Sequence, residues 1–370
     1  MTLRPKNQNP QVDNLPFPSP HLVCYNTPMS TPNPTCPKIL TQYDFLVSLS
    51  EEFSRELLRA ETGAKSPEEA KEALERALTL KQKIIEKKKE LEEQLRVSPE
   101  QLQEILGSEN VERKEQIEAV FGIPLETLPP VRLKRAEIEH LRDQARERGT
   151  VLLAILETPT MKHPETGEEI PKTLANMKRF FPKAHDGRPL LYTQDWYEKD
   201  EGSTFYNIET PPFAWKFVER DVLPESTNKN YAEQTELLAE YIRTTLFPEN
   251  KIPPEYQQAL DEWEEKKQAI FDLLAKETPA DDKQAFTLLS ALKITDLCRE
   301  SNAEVLSDLI LRNKTRNTKD LPDKWVFTKT VTKTAKFVIS GYFDSDGATV
   351  YWHGPRNSNG SFGFRLFRMG

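Results

Sequence analysis

The residues best suited to chemistry sit near the C-terminus. Asp344-Ser345-Asp346-Gly347 sets two carboxylates two positions apart beside a glycine. That spacing suits a calcium ion or an ordinary Asx-type turn, and the turn is the preferred reading. His353 and Arg356 pair a general base with a cation, but no carboxylate or nucleophile stands where it would complete a catalytic set. The five histidines, His21, His140, His163, His185 and His353, are widely separated. No HExxH, paired His/Cys spacing, P-loop, GxSxG or GxGxxG occurs. Gly360-Ser-Phe-Gly363 matches neither a phosphate loop nor an oxyanion turn. The three cysteines, Cys24, Cys36 and Cys298, include no CxxC and cannot build a disulfide framework, so they read as free thiols of a reducing compartment. No enzymatic activity, metal or cofactor is expected.

The elements that must carry these residues are legible from pattern. Nine of the 28 prolines lie in residues 1–38 with few large apolar residues between them, which predicts a disordered or extended tail. Residues 39–149 read as a helical hairpin or bundle. Ser66-Pro67-Glu68-Glu69 is an N-cap with proline at N1, and Ser98-Pro99-Glu100-Gln101 repeats the signal. Between them Ala70, Leu74, Ala77, Leu78, Ile84, Ile85, Leu91 and Leu95 predict one apolar stripe. Helices are also expected over 111–121 and 133–149. Lys87-Lys88-Lys89 is interleaved with glutamates and reads as a solvated helix face. Residues 150–250 are a mixed, aromatic-rich segment containing two strand candidates, 151–156 and 213–218. Whether it completes the C-terminal fold is open. Residues 251–370 begin with helices at about 254–276, 281–297 and an amphipathic one over 303–311, with Cys298 a core residue. Short strands then follow at Trp325-Val-Phe327, Lys336-Phe-Val-Ile339, Thr349-Val-Tyr-Trp352 and Phe364-Arg-Leu-Phe367.

Composition separates this end from the rest. Residues 324–370 hold seven Lys/Arg against two Asp/Glu, a net +5 in a chain of net -8. Six of the 13 glycines lie in the last 30 residues. A basic tail suggests nucleic acid, and Phe362-Gly-Phe-Arg-Leu-Phe367 superficially matches an RNA-recognition strand. The preceding Lys/Arg-Gly of that motif is missing, Arg365 replaces an apolar residue, and no helix and strand follow, so nucleic acid is disfavoured. No 18-residue apolar window exists, which excludes membrane insertion. No export signal is seen, and a cytoplasmic location is expected.

Three stretches carry a family resemblance: Leu321-Pro-Asp-Lys-Trp325-Val-Phe-Thr, Gly341-Tyr-Phe343-Asp-Ser345-Asp-Gly347-Ala-Thr-Val350-Tyr-Trp352, and the terminal Gly363-Phe364-Arg365-Leu366. Together with Leu297-Cys298-Arg299-Glu300 and Ala303-Glu304-Val305-Leu306, they resemble the C-terminus of diversity-generating retroelement variable proteins. The resemblance covers about residues 285–370. It implies an α+β chain in which a helical N-terminal region precedes a C-type-lectin-like domain of the formylglycine-generating-enzyme type, with a small antiparallel sheet at the C-terminus and a terminal strand on Gly-Phe-Arg-Leu. It also implies that a reverse transcriptase rewrites adenines in the coding sequence. The fixed frame would be Phe343, Asp344, Ser345, Gly347, Val350, Gly363, Phe364, Arg365 and Leu366. The diversified, ligand-binding positions would be Asp346, Thr349, Tyr351, Trp352, His353, Arg356, Asn357, Ser358, Asn359 and Ser361, with Trp352 equally at home in a core. The enzymes of that fold use a cysteine pair near the C-terminus, and no cysteine follows Cys298 here, which disfavours their oxidase activity.

Tyr, Trp, His, Arg, Asn and Ser are also the types enriched in adaptable binding surfaces. The expected function is therefore non-enzymatic binding of a protein or other macromolecule, with the helical half as scaffold and a place for self-association. The alternatives are a structural or assembly protein with an invariant C-terminal cap, and, less favoured, nucleic-acid binding through the basic tail.

Overall fold

The computed structural model describes residues 36–94, 96–192, 196–199, 204–247 and 251–370. These fall into two compact units, one within residues 1–95 and the other Arg96–Gly370. Most of the proline-rich segment lies outside the described residues. Its last three residues already belong to a helix, with Pro37 tolerated in the first turn.

The first unit is a helical hairpin. Helix α1 (Cys36–Leu58) runs through a π-helical turn, Arg59–Gly63, and α2 (Pro67–Gln94) follows. Ser66 caps α2 by accepting from the Glu69 N–H at 3.1 Å. Leu46 and Leu49 of α1 and Ala73, Ala77 and Leu80 of α2 are buried, and Arg76 pairs with Glu56 at 3.0 Å. The apolar stripe expected on α2 splits. The buried line is alanine-rich, allowing close packing, while Leu74, Leu78 and Ile85 lie beside it and remain exposed.

The second unit opens with α3 (Pro99–Leu106), strand β1 (Val111–Glu112), α4 (Lys114–Phe121) and α5 (Arg135–Glu147). Strand β2 (Leu152–Glu157) is buried at all six positions. A two-stranded ribbon, β3 (Thr160–Lys162) with β4 (Glu169–Pro171), and α6 (Leu174–Phe180) come next. Two one-turn helices at Trp196–Lys199 and Thr204–Asn207 precede β5 (Ala214–Glu219). Then come α7 (Tyr231–Thr244), α8 (Pro254–Ala275), α9 (Pro279–Ser290), α10 (Lys293–Cys298) and α11 (Asn302–Arg316). The helix expected over 281–297 is thus two, broken at Ala291 and Leu292. The last strands are β6 (Trp325–Val331), β7 (Phe337–Asp344), β8 (Gly347–His353), β9 (Phe362–Gly363) and β10 (Phe367–Met369). The result is a mixed α+β architecture.

Two four-stranded sheets organise this unit. The first has the order β1-β2-β5-β10, with β1 parallel to β2 and the remaining pairs antiparallel. The second has the order β8-β7-β6-β9, antiparallel except for β9, which runs parallel to β6. The divisions expected at 149/150 and 250/251 both fall inside this unit. Pairing of β1 with β2 and of β5 with β10 joins residues from all three intended segments into one sheet. The terminal Gly-Phe-Arg-Leu is not one strand either. Gly363 ends β9 in the second sheet, β10 begins at Phe367 in the first, and residues 364–366 cross between them.

Helix α11 explains why that crossing is charged. The sequence predicts an amphipathic helix, but every residue from Asn302 to Asn313 is buried, including Glu304, Asp308 and Arg312. Its polar side faces an interior ion network. Lys216 on β5 donates to Glu157 (2.8 Å), Glu300 (3.2 Å), Asp308 (2.7 Å) and the Glu304 carbonyl (3.3 Å). Arg365 donates to Glu300 (2.8 Å) and Asp308 (2.9 Å). Lys172 donates to Ser307 (2.8 Å) and Glu157 (3.3 Å). Three carboxyl groups thus face three basic groups, and each has hydrogen-bonded partners inside the network. Burial alone would raise the Glu157 carboxyl, but Lys216 and Lys172 outweigh it and hold it well below the ordinary range. At Asp308 burial wins and raises the carboxyl, with Glu157 adding to the shift.

Candidate functional site

The C-terminal candidates ride on the second sheet and the loop that leaves it. Gly347 starts β8 with a positive φ of 108°. A Cβ there would lie 2.9 Å from the Pro189 carbonyl oxygen, so only glycine fits. The upstream turn is an Asx turn, with the Asp346 N–H donating to Asp344 Oδ1 at 2.8 Å. Among the described residues no group of three His, Cys, Asp or Glu side chains is placed to hold a metal ion.

Register then sorts the strand. Thr349, Tyr351 and His353 lie opposite Gly341, Ile339 and Phe337 and share one face, whereas Trp352 lies opposite Val338 on the other. Thr349 is buried, Trp352 and His353 are half-buried, and Tyr351 is exposed. The Tyr351 and Trp352 rings run parallel with centroids 5.5 Å apart. Trp196 meets both edge-on at 6.3 and 6.4 Å, and its indole N–H donates to the Val350 carbonyl at 3.2 Å. Lys336 places its ammonium 5.8 Å from the Trp352 ring centroid. His353 rests on Phe362 at 4.5 Å, which in turn meets Phe327 at 5.6 Å. Burial holds the His353 imidazole below its ordinary pKa, against an opposing hydrogen bond with Asn357.

The loop after β8 is pinned mostly through its backbone. The Tyr231 N–H donates to the Pro355 carbonyl (3.1 Å), the Asn228 N–H to the Asn359 carbonyl (3.0 Å), and the Trp325 N–H to the Ser361 carbonyl (2.8 Å). Asn357 Oδ1 accepts from the Gly354 N–H at 2.8 Å, and Asn359 Oδ1 accepts from the Ser361 N–H and hydroxyl at 3.0 and 2.9 Å. Asn357, Ser358 and Asn359 remain exposed and Ser361 is partly so. Arg356 is different. It donates to Asp282 on α9 at 2.7 and 3.1 Å and to the Leu274 carbonyl at the end of α8. It fastens the loop to that helix pair.

The structure therefore brings Tyr351, Trp352 and His353 together as an aromatic edge continuous with the loop 357–361. Asp346 sits at the other end of β8, about 20 Å along the strand. Thr349 points into packed surroundings and Arg356 is committed to Asp282. Trp196 and Lys336 join the edge without having been singled out in the sequence. Trp196 lies in the aromatic-rich segment, whose density of rings is the signal the sequence offers, and Lys336 opens one of the expected strands. The arrangement offers ring faces, a phenol, an imidazole, an ammonium, amides and hydroxyls as contacts for a ligand.

The frame behind this surface is buried: Phe343, Val350, Gly363, Phe364, Arg365 and Leu366. Of the cations in the basic tail, Arg365 is consumed by Glu300 and Asp308, Arg368 by Glu137 at 2.7 Å, and Arg356 by Asp282. Cys298 is buried, and burial pushes its thiol up to about 12. Among the described residues no helix is long and apolar enough to cross a membrane. Compared with known proteins, the chain matches no family model, no curated protein and no solved structure.

Proposed function

We propose that this chain is a non-enzymatic binding protein of the diversity-generating retroelement variable type, with a C-type-lectin-like C-terminal part. Its ligand surface is the β8 edge and the loop to Ser361. One observation carries the reading: Phe343, Gly347, Val350 and residues 363–366 of the expected frame are buried and the loop after β8 is held by backbone bonds, while Tyr351, Asn357, Ser358 and Asn359 present side chains to solvent; of that frame, Ser345 in the β7–β8 turn is exposed as well. Such a division lets side chains change without disturbing the chain path. It suits a macromolecular ligand met by rigid rings and adaptable amides. The pairing of Arg365 with buried carboxylates, and of Arg356 and Arg368 with partly exposed ones, weakens the nucleic-acid alternative, which needs those charges for phosphates.

Two measurements test it. The genome should carry a near-copy of the DNA encoding about residues 342–362, differing mainly at adenines, beside a reverse transcriptase gene. A complete genome lacking both removes the diversification. A displayed library randomised at Tyr351, Asn357, Ser358 and Asn359 should keep most members folded and yield binders to an arbitrary protein such as lysozyme. A library whose members mostly unfold, or that yields no binders, removes the binding surface.

A further inference from the structure

The hairpin of the first unit leaves an apolar line uncovered. Leu74, Leu78 and Ile85 are 48%, 58% and 51% exposed. At about 100° per residue they fall within an arc of about 40° on α2, because eleven residues complete three turns. That arc is set off from the buried line of Ala73, Ala77 and Leu80, and lies on the flank away from the Glu56–Arg76 ion pair. Val47 and Leu58 of α1, themselves eleven residues apart, are also exposed on the side away from that pair. A two-helix hairpin is one layer, and one layer covers only one of its faces. Single exposed leucines need no explanation. Three in register on one helix, with Lys81 bordering the line between Leu78 and Ile85 and two aliphatics on the neighbouring helix, form a mainly apolar face.

The charges beside the line indicate what covers it. Glu68, Lys71, Glu75, Gln82, Glu86 and Lys89 run along one edge of the stripe. Their order is self-complementary when a second α2 is laid antiparallel across the first, with the two-fold axis passing beside Leu78 and Thr79. Glu68 then faces Lys89 of the second copy, Lys71 faces its Glu86, and Glu75 faces its Gln82. In an antiparallel pair each edge meets the same edge of its mate, so this order is what such a pair needs. Like charges at mirrored positions would have opposed it.

We infer that the hairpin is a self-association module: two copies of the chain pair their α2 helices antiparallel through Leu74, Leu78 and Ile85 and form a four-helix layer pair. The inference is independent of the binding surface at the C-terminus.

Sedimentation equilibrium of the full chain tests it. The expected mass is twice the 42.7 kDa of one chain. Leu74→Glu with Leu78→Glu and Ile85→Glu should bring it to one chain. Because that variant burdens a helix, charge reversal supplies a second reading. Glu68→Lys alone and Lys89→Glu alone should each weaken self-association by about tenfold, and the two together should restore it to within about threefold. A single-chain mass at every concentration up to the solubility limit overturns the inference. So does a triple variant that stays dimeric, or a double reversal that fails to restore association.

Discussion

At the residue scale, the most informative groups are carboxylates and cations that solvent does not see. Arg365, in the terminal Gly363-Phe-Arg-Leu366, closes an interior network with Glu300 and Asp308, which no apolar residue there could do. Removing one member of such a network leaves a buried charge unpaired, which costs about 3–5 kcal/mol. Glu209 gives a sharper test. It accepts from the Thr330 hydroxyl at 2.6 Å and the Ala303 N–H at 3.2 Å, at the start of α11. Burial nevertheless raises its carboxyl to about 7; Glu304 adds to the shift, while Thr330, Ala303 and Lys329 oppose it. The folded chain therefore retains a proton between the ordinary glutamate range and about pH 7 that the unfolded chain has released. Stability from this group is fully present below that range and is lost as pH rises through 7. Glu209→Gln should gain about 1–3 kcal/mol over the parent near pH 8 and nothing near pH 4. Urea midpoints measured across that interval check it, and a constant offset at every pH would contradict the assignment.

At the element scale, β8 and its loop divide into positions that hold and positions that hang. Gly347 combines a positive φ with backbone atoms 2.9 Å from where a Cβ would stand. Gly347→Ala should therefore cost about 2 kcal/mol or more. Ser358, exposed on a backbone that others pin, should tolerate alanine within about 0.5 kcal/mol. Paired thermal melts give the contrast, and equal losses at the two sites would show that the loop is not independent of its side chains. Helix α11 behaves in the opposite way to its sequence. Its caps were readable, since Ser301 and Glu304 form a capping box. Its burial was not. Glu304, Asp308 and Arg312 look like a solvent face until the partners on β1, β2 and β5 are known.

At the scale of the whole molecule, the second unit closes its own sheets and core. Its first sheet uses β1 near one end of the unit and β10 at the other, so no shorter division of residues 96–370 leaves that sheet intact. Residues 96–370 expressed alone should fold and unfold in one cooperative transition, followed by circular dichroism in urea. Separate transitions for residues 96–149 and 150–370 would restore the boundary that the sequence suggests. Helical order in the first unit rests on a narrow alanine-lined contact, so it should melt earlier than the second unit.

By itself the sequence determined what local physics determines. Caps and prolines located the starts of α2 and α3, glycines located turns, an apolar run located β2 and an alternating pattern located β5, because these signals act over a few residues. It also showed that the last fifty residues differ in kind from the rest. Only the tertiary structure decided which surfaces meet. The break of the terminal motif between two sheets, the joining of residues 96–149 to the C-terminal unit, the withdrawal of Thr349 and Arg356 from the exposed set, and the arrival of Trp196 at the β8 edge all depend on contacts between residues far apart in the chain. No spacing rule reaches that far: a buried ion pair and a solvated one are written with the same letters, and the difference lies in what packs around them.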